Sequence, residues 1–510
     1  MFNNYFIPVI FIFFLTEIIV MEFFLRKRQD WLLEKEIKEL SDKSGVSENT
    51  FNIYYFGSST MVGVPYDPAL SIPKLVSFML GDSMLNRAVC YVNLGKCAIN
   101  FHYNLTRLRV VLKNKNIFYP SLCIFYGGHN EYLRYTKEYA KEIFNNIFLA
   151  FLYEYSFLAR KIINRLVPSS KVRRFELGER SLFDQPLFEQ KKYKEVISRY
   201  KLGVAGAESL LRKYKVVGIF STLASNISDF EPNRSVFSGT SAQRDELKNL
   251  MELAKKELDF NNFSKAAELY SMALSLCSNF AEAHYQLGKC YQKQNNFSVA
   301  KQAFKKAVDF DAMPVRAVSG QNDFLRSLLN KEHVFVVDSE DHLTNNSADG
   351  LVGYDLMIDG NHPNIKGYIL ISQLIADKIL EIFQERKSLN LVSEDEAKKL
   401  FGLCSVNLSK AYNYTGLWML RFATWRYDYS DRLNKAKEYF LKAMSIDGQS
   451  FWPYLGLGLC NYVFNDVKKA QEYISQAEAI NSLEVNNYLN DYWNKQVIKR
   501  SMQHQLISHE

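Results

Sequence analysis

Ile53-Tyr54-Tyr55-Phe56-Gly57-Ser58-Ser59-Thr60-Met61-Val62-Gly63-Val64-Pro65-Tyr66 is the stretch on which the reading of this chain turns. Four β-formers run into a glycine, two serines and a threonine, and a second glycine and a proline follow. The pattern predicts a buried strand that stops at a tight turn, with a small hydroxyl at its carboxyl edge. In an open α/β sheet, that edge is where ligands bind. A hydroxyl placed there becomes a nucleophile only beside a base and an oxyanion stabiliser.

Two later stretches carry groups of those kinds. Leu122–Tyr126 is a second apolar run and ends in Gly127-Gly128-His129-Asn130-Glu131. Met357-Ile358-Asp359-Gly360-Asn361-His362-Pro363-Asn364 stands just before a helical pattern that begins near Ile365. Asp359 and His362 are close enough in sequence for the carboxylate to orient the imidazole while the other ring nitrogen faces a serine. The order of nucleophile, amide donor and Asp-x-x-His resembles the SGNH (GDSL-type) hydrolases, over about Asn52 to Phe383 with one large interruption.

That resemblance implies Ser59 as nucleophile, Asn130 as a side-chain oxyanion donor, Asp359 as orienting acid and His362 as general base. Ser58 is the alternative nucleophile, and the register Gly57-x-Ser59 with Gly63 beyond it favours Ser59. In the same family a glycine N–H completes the oxyanion hole. Here the matching block is Val92–Asn100, with Ala98 at the glycine position and Gly95 as the alternative. His129 and Glu131 are expected only to line the site, and Gly95 and Gly128 are candidates for its lining as well. The reaction implied is attack on an ester carbonyl, with the acyl group passing to water or to another hydroxyl. The substrate would be an acylated small molecule or polysaccharide, and no cofactor or metal is called for.

Composition sets the outer bounds. A chain of 510 residues has room for two to four domains, and 47% hydrophobic with 23% charged residues suits a folded protein. The net charge of +8 is spread along the chain. No zinc-finger spacing, RNA-binding aromatic signature or dense basic helix accompanies it, so nucleic acid is not an expected partner. The seven cysteines are scattered without a Cys-x-x-Cys pair and read as buried thiols rather than a disulfide framework.

In chain order, Tyr5–Leu25 is almost wholly apolar and ends at Arg26-Lys27-Arg28. It is long enough to span a bilayer as a helix. Glu17 and Glu22 oppose this at roughly 3 kcal/mol for a central acid. The expectation is a single-pass N-terminal anchor, with the side of the membrane left open, and then a charged helical stalk. Candidate strands are Asn52–Phe56, Val89–Asn93, Leu122–Tyr126, Val216–Phe220 and His333–Val337. Helical patterns alternate with them, which predicts a parallel sheet. Between Glu138 and Tyr200, the aromatic stretch Ile143–Leu166 and the basic run Lys171–Arg174 read as a helical cap, or as an interfacial helix.

After Val216–Phe220 comes Ser221-Thr222-Leu223-Ala224-Ser225-Asn226, similar to a segment of SGNH proteins that carry helical repeats. Asn226 either lines the site or caps a turn. Ala254, Asn262, Phe263, Ala266, Tyr270 and Ala273 then recur 34 residues later as Gly288, Asn296, Phe297, Ala300, Phe304 and Ala307. That is the spacing of a tetratricopeptide (TPR) repeat. Ala436, Phe440, Ala443 and Ile446 return at the same interval as Ala470, Ile474, Ala477 and Ile480. Repeats need neighbours to cover their faces, so the two sets are expected to stack. Arg316 either meets an anionic substrate or ties the helices to the sheet.

The predicted architecture is therefore an α/β, SGNH-hydrolase-like three-layer domain with a parallel sheet, plus all-α TPR repeats and an N-terminal transmembrane helix. The expected units are an anchor at 1–28, a stalk at 29–50, and a hydrolase-like domain in two parts, 51–244 and 314–386. Inserted repeats occupy 245–313, and a TPR-like helical region occupies 387–500. The repeats imply a protein partner, and the N-terminal helix implies a membrane.

Overall fold

The structure, a computed structural model, describes residues 3–132, 190–328, 332–424 and 426–490, with isolated positions between 156 and 183. The expected cap over Ile143–Leu166 and the basic run Lys171–Arg174 lie outside the described residues, save isolated positions. Six strands form one sheet: β1 (Phe51–Gly57), β2 (Ser83–Met84), β3 (Arg87–Asn93), β4 (Pro120–Tyr126), β5 (Val217–Ser221) and β6 (Val334–Val337). Their order is β2-β3-β1-β4-β5-β6. All neighbours are parallel except the two-residue β2, which pairs antiparallel with β3 as a short edge. Each strand expected from the sequence is present; β2 is too short to leave a pattern.

Every residue of β1 is buried, so the central strand is covered on both faces. This explains why it reads as a continuous apolar run. Phe56, Phe125 and Phe220 share one register across β1, β4 and β5. Their rings stack at 4.9 Å and 4.5 Å between centroids. Phe101 closes on this ladder from helix Phe101–Lys113, and Tyr200 of helix Gln190–Tyr214 packs edge-on against Phe101. Such pairs contribute about 0.5–1.5 kcal/mol each beyond their burial. The ladder lies one residue before the loops of the carboxyl edge, so it fixes the floor from which those loops leave.

The chain moves from β1 to β3 on one side and then crosses back to β4 on the other. The carboxyl edge between β1 and β4 is thus a switch point, where the outgoing loops part and leave a crevice. Helix Ile365–Phe383 packs on helix Ile72–Leu80.

The first helix runs unbroken from Asn3 to Lys43. Its C-terminal part lies on the sheet domain instead of standing off as a stalk. Leu33 and Ile37 enter the core, Glu36 pairs with Arg107 at 2.6 Å, and Ser41 Oγ meets the Tyr54 hydroxyl at 3.1 Å. The membrane anchor expected over Tyr5–Leu25 is corrected here. Among the described residues no helix is long and apolar enough to cross a membrane. The acidic residues are the physical obstacle. Glu22 accepts hydrogen bonds from the Ser156 hydroxyl at 3.1 Å and the Leu158 N–H at 2.9 Å, as a protein-bound carboxylate does.

Between β5 and β6 the inserted repeats contribute the helices Ser241–Asp259, Phe263–Leu276, Ala281–Lys293 and Phe297–Asp309, and helix Ser319–Arg326 follows them. Thr240 and Gln243 form a capping box at the start. The paired helices approach closely because Gly288 faces the ring of Phe304, where a Cβ would come within 2.6 Å of a ring carbon. The same device recurs at the C-terminus, where Phe440 lies between Gly416 and Gly456. The C-terminal helices Ser405–Ala423, Ser430–Ile446, Phe451–Val463 and Val467–Leu489 share the core of the sheet domain. The link between the first two of these helices meets the inserted repeats in two ion pairs, Lys255–Asp428 at 2.8 Å and Arg426–Glu282 at 3.2 Å.

Candidate active site

Gly57 ends β1 paired to Tyr126 of β4. A Cβ on it would lie 2.3 Å from the Tyr126 carbonyl oxygen, so only glycine lets the two strands stay paired to the edge. The next turn starts the short helix Ser59–Val62 and puts Ser59, 7% exposed, at its first position. The Asn93 amide at the end of β3 donates to the Met61 carbonyl at 3.0 Å and anchors this helix from the other side.

Asp359 and His362 occupy a closed turn between β6 and helix Ile365–Phe383. The Ile358 N–H donates to the His362 carbonyl at 2.9 Å. Asn364 caps the helix by accepting from the Gly367 N–H at 2.9 Å. Tyr368, one helical turn on, donates its hydroxyl proton to the Val64 carbonyl at 2.7 Å and so ties the histidine's element to the serine's loop.

These elements bring three predicted residues into one hydrogen-bonded line. Ser59 Oγ is 2.7 Å from His362 Nε2, and His362 Nδ1 is 2.7 Å from Asp359 Oδ2. Asp359 Oδ1 accepts from the N–H groups of Asn361 at 2.9 Å and His362 at 2.8 Å. Burial pushes the Asp359 carboxyl up. The His362 ring and the two N–H donors outweigh that and hold it below the ordinary carboxylate range. A carboxylate kept ionised in this way orients the imidazole and can balance a positive charge formed on it.

On the loop after β4, Asn130 is 5% exposed, and its Nδ2 has no hydrogen-bond partner among the described residues. A buried amide donor without an acceptor is costly unless something else occupies it. Its loop is held in several directions. Gln321 donates to the Gly128 carbonyl at 2.8 Å, Tyr200 to the Gly127 carbonyl at 3.3 Å, and the Phe101 N–H to Glu131 Oε1 at 2.8 Å.

Ala98 is exposed on the loop after β3 and has φ 58°, the left-handed region that favours glycine. Gly95 has its N–H occupied by Asn93 Oδ1 at 2.9 Å. Glu131 is spent on the start of helix Phe101–Lys113, and Gly128 has φ 154° against Leu223, Tyr200 and Gln321.

His129 is fully buried, and its Nδ1 accepts from the Ala317 N–H at 3.1 Å. Burial, reinforced by the neighbouring His362, lowers its pKa to about 3. Asn226 is also fully buried and makes a turn, accepting from the Asp229 N–H at 2.9 Å, while its own N–H donates to the Gly360 carbonyl at 3.1 Å. Arg316 is buried and gives its guanidinium to the carbonyls of Asn226 and Phe230, both at 2.6 Å. These bonds tie the stretch before helix Ser319–Arg326 to the segment that leaves β5.

Sequence reasoning missed Asn93, Tyr368 and Tyr439, all of which hold the site's loops. Of these, Asn93 lies within the Val92–Asn100 block. Tyr439 donates to the Ile358 carbonyl at 2.5 Å from the C-terminal helices, and no local pattern announces that.

Family models described as TPR repeat and tetratricopeptide repeat match residues 257–295 and 281–311. No curated protein matches the chain. Among solved structures, one similar to it is a Bacteroides fragilis protein proposed to be an acylhydrolase. The likeness is 10% identity over 67% of this chain and 95% of that one, with a TM-score of 0.28. YrrB, described as a TPR protein with an unusual peptide-binding site, is 17% identical over 46% of this chain and 86% of its own, with a TM-score of 0.14. PilF of Pseudomonas aeruginosa is 16% identical over 52% and 94%, with a TM-score of 0.16. The chain thus carries tetratricopeptide repeats, a class that suggests protein partners, between β5 and β6 of a mainly parallel α/β sheet.

Proposed function

We propose that the chain is a serine ester hydrolase of the SGNH/GDSL type, removing or transferring an O-acyl group such as acetyl from a carbohydrate or lipid. The observation that carries this reading is the continuous line from Ser59 Oγ through both nitrogens of His362 to Asp359, each step 2.7 Å. His362 Nε2 takes the Ser59 proton as Oγ attacks the ester carbonyl, and Asp359 stabilises the imidazolium. The oxyanion is held by the Asn130 side chain, the Ser59 N–H and the Ala98 N–H. Collapse expels the alcohol, which takes the proton from His362, and leaves Ser59 acylated. Water or a sugar hydroxyl, deprotonated by His362, then attacks the acyl-enzyme and restores the serine.

A second reading is favoured by the repeats themselves: a TPR scaffold that recruits a protein partner and has a silent esterase-like domain. The intact line of three residues argues against it, since a decayed site has no reason to keep that geometry. The deciding test is p-nitrophenyl acetate turnover and fluorophosphonate labelling of the full chain beside Ser59→Ala and His362→Ala. Activity and labelling that disappear in both variants, with folding intact, support the hydrolase. Folded wild-type protein that neither turns over ester nor takes the probe would sink it in favour of the scaffold.

A further inference from the structure

Asp359 and His362 lie on one loop, residues 351–364, and that loop is gripped from two sides by helices outside the sheet domain. On one side stands the inserted repeat. Asp229 accepts from Lys289 of helix Ala281–Lys293 at 3.1 Å with one oxygen, and from the Tyr354 N–H at 3.0 Å with the other. Tyr285 of the same helix donates to the Ser228 carbonyl at 2.9 Å, and the Ile227 N–H donates to the Val352 carbonyl at 2.9 Å. The segment Ile227–Asp229 is therefore a strap with the repeat on one edge and the loop on the other.

On the opposite side stand the C-terminal helices. Tyr439 donates its hydroxyl proton to the carbonyl of Ile358, the residue before Asp359, at 2.5 Å. Lys435, one turn earlier, lies 4.3 Å from the centre of the Tyr354 ring. Tyr439 is buried and its hydroxyl is held by that one carbonyl, so its contact is directional and not merely apolar filling.

We propose that Lys289, Asp229 and Tyr439 are positioning residues for the Asp359–His362 pair, so that the repeats act in cis on the reaction at Ser59. This rests on the serine-hydrolase reading. The physical reason is the tolerance of the chemistry. A proton relay needs its donors and acceptors within a few tenths of an ångström, and a displacement of about 1 Å can cost on the order of 100-fold in rate. The loop's own bonds, such as Ile358 N–H to the His362 carbonyl at 2.9 Å, set its local shape, and the two clamps fix it relative to the helices on either side.

The test is steady-state ester kinetics on the full chain for Tyr439→Phe, Lys289→Met, Lys289→Arg and Ser59→Ala, with thermal midpoints measured alongside. Tyr439→Phe and Lys289→Met are expected to lower kcat by about 10- to 100-fold, with KM held within about twofold. Lys289→Arg, which keeps the charge on Asp229, is expected to restore most of the rate. Unchanged kcat in both, or a rise in KM alone, overturns the inference while Ser59→Ala remains inactive. If Ser59→Ala keeps full activity, the hydrolase reading itself falls. Should Tyr439→Phe unfold, Lys289→Met decides, because that ion pair is partly exposed and its loss costs little stability.

Discussion

His129 gives a sharp check on the electrostatics behind the site. It is fully buried, and its Nδ1 accepts the Ala317 N–H at 3.1 Å, which fixes the neutral tautomer with its proton on Nε2. Burial is the main reason its pKa falls from 6.5 to about 3; His362 and Arg316 add to the fall, and Asp359 opposes it. The folded pKa is depressed, so the fold resists protonation that the unfolded chain accepts. Stability from this group is complete above pH 6.5 and drains as pH falls from 6.5 towards 3. At pH 4.5 the gap from the unfolded value is about 2 units, and at roughly 1.4 kcal/mol per unit the loss is about 3 kcal/mol.

The perturbation is His129→Gln, which can still accept the Ala317 N–H but does not titrate. Urea unfolding followed by fluorescence at pH 7.5 and pH 4.5, on both chains, isolates the group, since other acid-sensitive residues are shared and cancel. The wild type is expected to lose about 3 kcal/mol more than the variant between the two values. Curves that keep a constant separation would refute the claim that His129 is held neutral by burial.

Three further outcomes follow from the geometry. Asn130→Ala should lower ester turnover by about 100- to 1,000-fold with little change in KM, read from initial rates, if its amide holds the oxyanion. Gly57→Ala should abolish soluble, active protein, because the added Cβ meets the Tyr126 carbonyl at 2.3 Å and forces β1 from β4; expression and circular dichroism report it. Glu231→Gln should destabilise by about 3–5 kcal/mol by leaving Arg432 buried without its charge partner. Burial raises the Glu231 carboxyl, but Arg426 and Arg432 draw it below 4.5. The difference from wild type should hold above that value and shrink as pH falls through the folded pKa, in a thermal melt series.

How much of this was legible depended on how local each signal was. The strands and their edge loops could be read because burial on both faces leaves unbroken apolar runs, and Gly57 marks the stop. Ser59, Asp359 and His362 could be read because the order and spacing of two short motifs carry them. Ala98 and Gly95 stayed open as alternatives in sequence, because neither the φ of 58° at the one nor the bond from the other's N–H to Asn93 leaves a local pattern. The N-terminal helix misled because hydropathy weighs the apolar run and not the partners that Glu22 finds near residue 156. Tyr439 was out of reach, because its bond to Ile358 joins residues 81 positions apart with no shared pattern.

The long-range part has a common cause in the segment Asn226–Asn233. It leaves β5 without entering another strand or helix, so its carbonyls lack ladder partners and must find donors elsewhere. Three buried arginines supply them. Arg316 serves Asn226 and Phe230, Arg426 serves Pro232, and Arg432 serves the Glu231 carbonyl. Arg432 also meets the Glu231 carboxylate at 2.9 Å and Asn233 Oδ1 at 2.6 Å, and lies 3.9 Å from the centre of the Phe230 ring. The arginines come from the joint before β6 and from the C-terminal helical region, so backbone satisfaction at one strand exit recruits groups nearly 200 residues away. A buried guanidinium left without acceptors costs far more than a missed apolar contact. The sheet edge, the inserted repeats and the C-terminal helices therefore cannot come apart there without uncovering charge. The Asp359–His362 loop, which the Asn226 N–H joins at Gly360, inherits its rigidity from that constraint.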